Sequence, residues 1–212
     1  QELVRDLAAR RTTFKVMTRS KDTVKAMETK GIKAVFGDFD RPESLAGALA
    51  NIETVFLLTT PGPQTLMKEQ RFLDACKARG VKRVVRLSAI GANPWATSGL
   101  LRSHGRCEAQ LEDSGLAWTI LRCTLIYGAG IDHSLSPIAR IATKYRIFPR
   151  LPFASGLRQP VHACDLAGAC LAAVGNAQVD GRILAVGGAE RLPFSSMLDS
   201  RGDKRGPQYD TR

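Results

Sequence analysis

The sequence predicts an α/β fold in which a doubly wound, parallel sheet carries helices on both faces. Short apolar runs alternate with longer segments whose apolar residues recur at helical spacing. The apolar runs have largely lost the two-residue alternation of a half-exposed strand, as strands buried on both faces do. With 212 residues, of which 44% are hydrophobic, the chain can bury a core without disulfides or a metal.

The first fifty residues already show this alternation. Leu3 and Leu7 recur at helical spacing, so a helix is under way where the sequence begins. Arg19 follows the first strand, Gly31 stops the second helix, and Pro42 stands in a first turn, where proline is tolerated. The predicted elements in order are a helix at residues 1–10, a strand at Phe14–Thr18, a helix at Thr23–Lys30, a strand at Lys33–Phe36 and a helix at Pro42–Ala50.

The middle of the chain contains the most apolar strands. The strand that begins at Thr54 is nearly all apolar and ends in turn residues around Pro61. Gly80 and Gly115 stop the two helices that follow. The predicted elements in order are a strand at Thr54–Leu58, a helix at Thr65–Arg79, a strand at Arg83–Leu87, a loop at Gly91–Gly99, a helix at Arg102–Ser114 and a strand at Ala117–Arg122.

The regular alternation ends after Tyr127. Apolar residues are almost absent from Asp199 onward, which is typical of a disordered tail. We therefore divide the chain into a core at 1–126, a smaller C-terminal region with a late core strand at 127–198, and a tail at 199–212. The elements predicted for the C-terminal region are a helix at His133–Tyr145, a loop at Phe148–Gln159, a helix at Asp165–Val174 and a strand at Arg182–Val186.

The formal net charge of +11 raises the question of nucleic-acid binding. The positive charge is spread along the chain, and no dense basic run is interleaved with aromatic residues. We therefore expect no direct contact with nucleic acid, and instead an anionic small ligand such as a phosphorylated cofactor. No apolar run approaches the roughly 18–20 residues of a membrane span, and no signal peptide is visible. These observations predict a cytoplasmic protein without membrane contact.

The cysteines and histidines predict neither a disulfide framework nor a metal site. The number of cysteines is odd and their spacing is wide, and those in apolar stretches are expected in the core. The three histidines are dispersed and have no carboxylate at ligand spacing. The cysteines are Cys76, Cys107, Cys123, Cys164 and Cys170, and the histidines are His104, His133 and His162.

An ordered set of short motifs resembles a known enzyme family. The set is Gly37-Asp38, Thr59-Thr60-Pro61, Gly80-Val81-Lys82-Arg83, Leu87-Ser88-Ala89, Ser114-Gly115-Leu116-Ala117-Trp118 and Gln159-Pro160-Val161-His162. Over about residues 1–198 it resembles the atypical short-chain dehydrogenase/reductases, chiefly their NmrA-like and NAD(P)H:quinone-oxidoreductase-like branch. The stretch after Tyr127 also resembles nucleotide-sugar epimerase relatives. The resemblance implies a Rossmann core, an NAD(P)(H) cofactor and a smaller C-terminal substrate region.

The sequence departs from this family pattern at two places. The family opens with a strand and a turn of the form G-x-x-G-x-x-G, whereas this sequence begins inside the helix expected after that turn. We therefore expect a piece of a longer polypeptide or a truncated product, which by itself binds the dinucleotide weakly. Catalytic members also carry a Tyr-x-x-x-Lys pair, and Leu100 and His104 stand at those positions. Their presence leaves the mechanism unspecified.

The resemblance places the adenosine end of the cofactor near the first two strand ends. A base at the end of the first strand matches the 2′-phosphate of NADP, so Arg19 and Lys21 favour NADP, with NAD as the alternative. Both could instead be ordinary solvated loop charges. Asp38, beside Gly37, would lie under the adenine; the alternative is an Asp that caps a helix or a turn.

Further candidate residues follow the next strands. The resemblance places Thr59, Thr60 and Pro61 along the cofactor's sugar and phosphates, whereas a plain strand-to-loop turn is the alternative. The candidate catalytic residues are Ser88, which would also contact the cofactor and orient substrate, and His104, which could orient substrate or relay a proton. A backbone-bonded hydroxyl and a surface histidine are the alternatives. Tyr127 would approach the nicotinamide, while His133 and His162 are weaker candidates.

Three functions remain open. The first is an NAD(P)H-dependent oxidoreductase acting on a quinone or another small carbonyl-like acceptor. The second is a non-catalytic NADP(H) redox sensor with a protein partner, which the missing Tyr and Lys favour. The third is an enzyme resembling sugar-nucleotide epimerases or dehydratases. A homo-oligomer is compatible with each of them.

Overall fold

The computed structural model describes residues 2–128 and 156–193 and divides the chain into two compact units. One unit comprises Gln1–Cys123 and Ala167–Ala185, and the other comprises Thr124–Leu166 and Val186–Arg212. The helices are α1 (Glu2–Ala9), α2 (Lys21–Glu28), α3 (Pro42–Ala48), α4 (Thr65–Ala78), α5 (Gly99–Glu112) and α6 (Ala163–Val174). The strands are β1 (Val16–Thr18), β2 (Ala34–Phe36), β3 (Thr54–Leu57), β4 (Arg83–Ala89), β5 (Ala117–Cys123), β6 (Ile126–Tyr127), β7 (Leu157–Arg158), β8 (Val161–His162), β9 (Arg182–Val186) and β10 (Leu192–Pro193).

The first unit contains two groups of parallel strands. One is the pair β1–β2, and the other is a sheet with the strand order β3-β4-β5-β9. In the second group Val55 of β3 lies opposite Val84 of β4, which in turn lies opposite Trp118 of β5. Neighbouring parallel strands need a crossover connection, which α4 supplies between β3 and β4 and α5 supplies between β4 and β5. The predicted α/β fold class with a parallel sheet is therefore confirmed.

Helices pack on both faces of β4 and β5. On one face a single cluster joins Leu45 of α3, Phe72 of α4 and Leu111 of α5 to Val84 and Ile120 of the strands. Strand alternation turns the neighbouring side chains to the other face. There the Thr119 hydroxyl donates to the Val179 carbonyl over 3.0 Å, and the Arg83 guanidinium donates to the Val174 carbonyl at the end of α6 over 3.4 Å.

Three helices begin earlier than the sequence predicts: α2, α5 and α6, the last of which begins at Ala163 and not at Asp165. Helix α2 begins at Lys21 because the Ser20 side chain accepts a hydrogen bond from the Thr23 backbone over 3.2 Å and thereby caps it. Helix α5 begins at Gly99, a residue predicted in a loop, and Ser98 precedes it as N-cap without a side-chain bond. The predicted bounds of these helices were therefore wrong by two or three residues, while the helices themselves are confirmed.

The described residues of the second unit include several very short strands. Strand β6 pairs with β8 in parallel, and β7 pairs with β10 antiparallel. The prediction of an unbroken loop over Phe148–Gln159 is wrong at Leu157–Arg158, which form β7. The predicted helix at His133–Tyr145, the first part of that loop and the tail after Asp199 lie outside the described residues.

Four of the cysteines are buried free thiols. Cys76, Cys107, Cys123 and Cys170 are all buried, as expected of small core residues, and burial raises the pKa of the Cys76 thiol to about 12. Within the described ranges, no helix combines the length and apolar character needed to cross a bilayer.

Candidate functional site

A pocket of about 460 Å³ opens in the first unit, where β1, β2 and β3 end and α4 begins. Its walls include four of the predicted site residues, namely Arg19, Asp38, Thr59 and Thr60. Ligands of open α/β sheets bind outside the carboxyl ends of the strands, and this volume is within the usual range for small-molecule sites. The pocket is therefore the candidate functional site.

The β1 side of the pocket is positively charged. Arg19 follows β1 directly, is exposed, and forms no ion pair with any other residue that the structure describes. The following residue, Ser20, caps α2 and so fixes the backbone beside Arg19. Lys21 does not line the pocket, because its Nζ lies 6.0 Å from the ring centroid of Phe36. Arg19 is therefore the better placed of the two predicted bases.

The β2 side of the pocket is a turn built by Asp38. One Asp38 carboxylate oxygen accepts from the Asp40 backbone over 3.0 Å, and the Ser44 hydroxyl accepts from the Asp38 backbone over 2.9 Å. Because Arg41, not Asp38, is the N-cap of α3, the helix-cap interpretation is wrong and the turn interpretation is confirmed. An added Cβ at Gly37 would lie 2.5 Å from the Met17 sulfur, so glycine at this position lets the Met17 side chain, which also lines the pocket, pack closely against this wall.

Lys68 is a pocket residue that the sequence did not reveal. Its Nζ lies 2.7 Å from Asp40 Oδ2, and Arg71 lies 3.6 Å from the other oxygen of that carboxylate. On the sequence Lys68 is one of several polar residues of an amphipathic helix, a pattern typical of a solvated face. Only the docking of α4 brings it to the pocket wall.

The loop after β3 forms the third wall and is tied down by hydroxyl groups. The Thr59 hydroxyl donates to the carboxylate of Glu69, and the Thr65 hydroxyl donates to the Thr60 carbonyl over 3.1 Å. Pro61 lies between two lining residues, Thr60 and Gly62, without lining the pocket itself. The loop therefore presents its threonines in a fixed geometry.

Glu69 belongs to a buried ion pair behind this wall. It is fully buried, and its partner Arg86 on β4 is 1% exposed. Arg86 Nε donates to Glu69 Oε2 and Nη2 donates to Oε1, both over 2.9 Å, so the pair is bidentate. Arg86 Nη1 also donates to the Leu87 carbonyl over 3.3 Å. Neither charge was identified from the sequence, because a helix charge and a strand charge seventeen positions apart give no local signal.

His104, a predicted catalytic residue, contacts this pair instead of the pocket. Arg86 Nη1 lies 3.4 Å from His104 Nδ1. Since arginine can only donate, Nδ1 acts as the acceptor and the neutral ring carries its proton on Nε2. Burial, and then the positive charge of Arg86, lower the pKa of His104. The contact makes His104 a neutral, half-buried partner of Arg86 and not a simple surface residue.

Ser88 is buried at the carboxyl end of β4, and its hydroxyl has no hydrogen-bond partner among residues 2–128 and 156–193. The alternative interpretation, a hydroxyl bonded to nearby backbone, is therefore not what the structure shows. Buried hydroxyls are normally paired, so this one is available to a water or a ligand. Like His104, Ser88 does not line the pocket described above.

Tyr127 lies in the second unit, where it contacts His162. The two rings meet edge to face, with centroids 5.2 Å apart. His162 Nδ1 also accepts from the Cys164 backbone over 3.3 Å, which agrees with a structural role for this histidine. Across the described parts of the chain, no three His, Cys, Asp or Glu side chains gather in a way that could hold a metal ion.

Comparison with known proteins supplies the family. Residues 1–131 match the model of a family described as NAD(P)H-binding. The NAD(P)H azoreductase of Xenophilus azovorans is 30% identical over 121 residues, which are 57% of this chain and 42% of the azoreductase. Two solved structures resemble the chain. A nucleoside-diphosphate-sugar epimerase of Staphylococcus aureus has a TM-score of 0.78 at 16% identity, over 95% of this chain and 72% of its own. An NADPH-dependent quinone oxidoreductase of Escherichia coli has a TM-score of 0.76 at 21% identity. The match covers 94% of this chain and 68% of the oxidoreductase.

These comparisons agree with the pocket at the strand ends. At such low identity the two solved structures show a shared fold, which is the Rossmann-like α/β arrangement described above. The chain spans less than half of the azoreductase's length, at 42%. The family match extends from the first helix to the end of β5 and beyond, and so includes every strand that borders the pocket. The predicted resemblance is thereby confirmed: the chain belongs to the NAD(P)H-binding family, among the atypical short-chain dehydrogenase/reductases.

Proposed function

We propose that the chain is the cofactor-binding part of an NADPH-dependent reductase that acts on a quinone or another small carbonyl-like acceptor. The observation that carries this proposal is the pocket at the ends of β1–β3, which Arg19, Asp38, Thr59 and Thr60 line together. The azoreductase and the quinone oxidoreductase named above are both reductases, which supports the reaction class. The acceptor itself is proposed from the resemblance.

The residues of the pocket fit the adenosine end of such a cofactor. Arg19, which has no ionic partner in the described chain, would bind the 2′-phosphate, and the wall formed by Met17, Gly37 and Asp38 would contact the adenine. Thr59 and Thr60 would face the sugar and phosphates. When bound, the nicotinamide supplies the hydride, while the protein contributes binding and orientation. The unpartnered hydroxyl of Ser88 would orient the acceptor.

Replacing Arg19 with glutamate should reverse the preference for NADPH over NADH. A charge-assisted hydrogen bond contributes about 1.5–3 kcal/mol, so the affinity for NADPH should fall about 10- to 100-fold while that for NADH changes little. Isothermal titration calorimetry of the 212-residue chain with both cofactors measures the ratio.

Arg106→Glu is the matched control for this prediction. Arg106 is an exposed residue of α5 outside the pocket, and its replacement makes the same change in net charge. It should leave the NADPH/NADH ratio unchanged. If Arg19→Glu lowers the affinities for NADPH and NADH equally, a contact at Arg19 does not cause the preference for NADPH. The same conclusion follows if Arg106→Glu changes the NADPH/NADH affinity ratio as much as Arg19→Glu does.

A redox sensor is the second candidate function. It is favoured by Leu100 and His104, which stand where catalytic relatives carry Tyr and Lys; Leu100 is 52% exposed and His104 faces Arg86. Leu100 carries no proton that it could give to a developing alkoxide, and the lowered pKa of His104 beside Arg86 favours a neutral ring over a charged acid. The epimerase-like alternative also needs such a tyrosine and is therefore the least supported of the three.

Consumption of NADPH with an acceptor panel separates the two candidates. We expect a polypeptide that contains this chain, assayed by NADPH absorbance with benzoquinones and an azo compound, to oxidise NADPH at a rate that rises with the concentration of the acceptor. Quinones need no catalytic tyrosine for hydride acceptance to be favourable, so the missing pair is compatible with this result. Binding of NADPH without turnover on any acceptor would support the sensor instead.

A further inference from the structure

The Thr59 hydroxyl is the point where the pocket meets the buried ion pair. Thr59 lines the pocket, and its hydroxyl hydrogen bonds to Glu69 Oε1 behind the wall. The same carboxylate oxygen accepts from Arg86 Nη2 over 2.9 Å. One side chain of the pocket is thereby joined directly to a charge in the protein interior.

The direction of this hydrogen bond is fixed by chemistry. Glu69 is fully buried and bidentately paired with the guanidinium of Arg86, so it is ionised and can only accept hydrogen bonds. The Thr59 hydroxyl must therefore donate its single proton to Glu69. What remains on Thr59 Oγ1 is acceptor capacity, and within the described residues no protein group donates to it.

Glu69 cannot easily rotate away from this arrangement. Both of its oxygens are bound by Arg86, which is itself anchored on β4 through its bonds to the Leu87 carbonyl and its contact with His104. Releasing the carboxylate would leave an unpaired charge in the interior. The proton of Thr59 is consequently held on the interior side for as long as the fold is intact.

We propose that Glu69 is a positioning residue that makes Thr59 an obligate hydrogen-bond acceptor in the pocket, so that Thr59 selects a hydroxyl group of the ligand and not a phosphate. This inference rests on the proposed function, which supplies a ligand with both kinds of group. A phosphate oxygen only accepts hydrogen bonds, so it gains nothing from Thr59 Oγ1. A ribose hydroxyl can donate to it. The cation that meets a phosphate lies elsewhere, at Arg19.

Binding of NADPH and of its three monodeoxy analogues tests this proposal. The analogues lack the adenosine 3′-hydroxyl, the nicotinamide-ribose 2′-hydroxyl or the nicotinamide-ribose 3′-hydroxyl. In the wild-type chain one analogue should bind about three- to tenfold more weakly than NADPH, the effect of one lost hydrogen bond. The readout is the ratio of the two dissociation constants, that of the analogue to that of NADPH, measured by calorimetric titration. General damage to the pocket weakens the binding of NADPH and of the analogue alike and leaves this ratio unchanged.

Four variants locate the origin of the ratio. In Thr59→Val the ratio should fall to about one, and Thr59→Ser should restore it. In Glu69→Gln the ratio should also fall, although Thr59 is present, because the amide can donate to Thr59 and free its proton. Glu108→Gln is the control: Glu108 is another buried glutamate, paired with Arg122 over 2.6 Å, and its replacement should keep the wild-type ratio. If Glu69→Gln does not fold, Glu69→Gln/Arg86→Gln replaces it, since no charge is then unpaired.

The outcomes separate the two proposals. If the wild-type chain binds NADPH but no analogue is penalised, or if the penalty survives in Thr59→Val, Thr59 accepts no ligand hydroxyl and the inference is wrong. If the weaker binding of the analogue is lost in Thr59→Val but remains at its full size in the Glu69 variants, Glu69 does not position Thr59. If neither the wild-type chain nor a longer polypeptide that contains it binds NADPH, the proposed function fails, and this inference fails with it.

Discussion

Replacing Glu69 with methionine is expected to lower the free energy of unfolding by about 3–5 kcal/mol. The substitution leaves the guanidinium of Arg86, which is 1% exposed, without its counter-charge in the protein interior. It also removes the acceptor of two arginine hydrogen bonds. Single domains have free energies of unfolding of about 5–15 kcal/mol, so this one substitution would remove a large fraction of the stability. Equilibrium unfolding in urea measures the loss.

Two further variants identify the unpaired charge as the cause. Glu69→Met/Arg86→Met removes both charges, and we expect it to recover most of the stability, because well-packed apolar side chains replace buried ion pairs at little cost. Glu53→Met breaks the exposed pair of Glu53 with Lys82, which spans 3.0 Å, and should change the stability by no more than about 1 kcal/mol. Equal losses in the single and double Glu69 variants would show that packing, not charge, dominates this position.

Replacing Gly105 with alanine should destabilise the protein by about 2–3 kcal/mol, at the upper end of the range for overpacked sites. Within a helix, alanine is ordinarily favoured over glycine by about 1 kcal/mol, so a stabilisation would be expected from α5 alone. An added Cβ, however, would lie 2.2 Å from the Asn93 carbonyl carbon and 2.4 Å from the Pro94 nitrogen. These are backbone atoms, so the clash cannot be relieved by rotating a side chain.

The loop that meets Gly105 is also held in place. The Asn93 backbone donates to the Leu101 carbonyl over 3.2 Å, and Arg102 Nη1 donates to the Ala96 carbonyl over 2.8 Å. Moving the loop away from a new side chain therefore breaks these bonds. The expected consequence is a lower Tm, which thermal unfolding followed by circular dichroism measures.

Gly168→Ala in α6 is the control, and we expect it to change the stability in the opposite direction. Among the described residues, and apart from the flanking residues and the backbone of α6 itself, no atom lies within 4 Å of a Cβ added at Gly168, so only the helix propensity should act. We expect a stabilisation of about 0.5–1 kcal/mol. If both alanine variants raise the Tm, the close approach of α5 to the Asn93 loop is not present in solution.

The alternation of apolar strands and helices determined the fold class and the order of the elements, and the resemblance of an ordered set of short motifs indicated the family. Carboxyl ends of neighbouring parallel strands meet at one edge of a sheet, so residues that follow successive strands could be predicted to converge. Arg19, Asp38, Thr59 and Thr60 do line one pocket. Two-residue strands such as β6 and β7 were not predicted, because so short a pairing depends on a distant partner and leaves no periodicity.

Only the tertiary structure determined which charged residues are buried. Glu69 and Arg86 look like ordinary polar positions of a helix and a strand, and only the docking of α4 against β4 brings them together in the interior. The same holds for Lys68 at the pocket wall and for Gly105 against Asn93. Local spacing specifies which face of a helix is apolar, whereas its angle and height on the sheet depend on all of its contacts at once. Those contacts, and with them the orientation of the Thr59 hydroxyl, exist only in the folded chain.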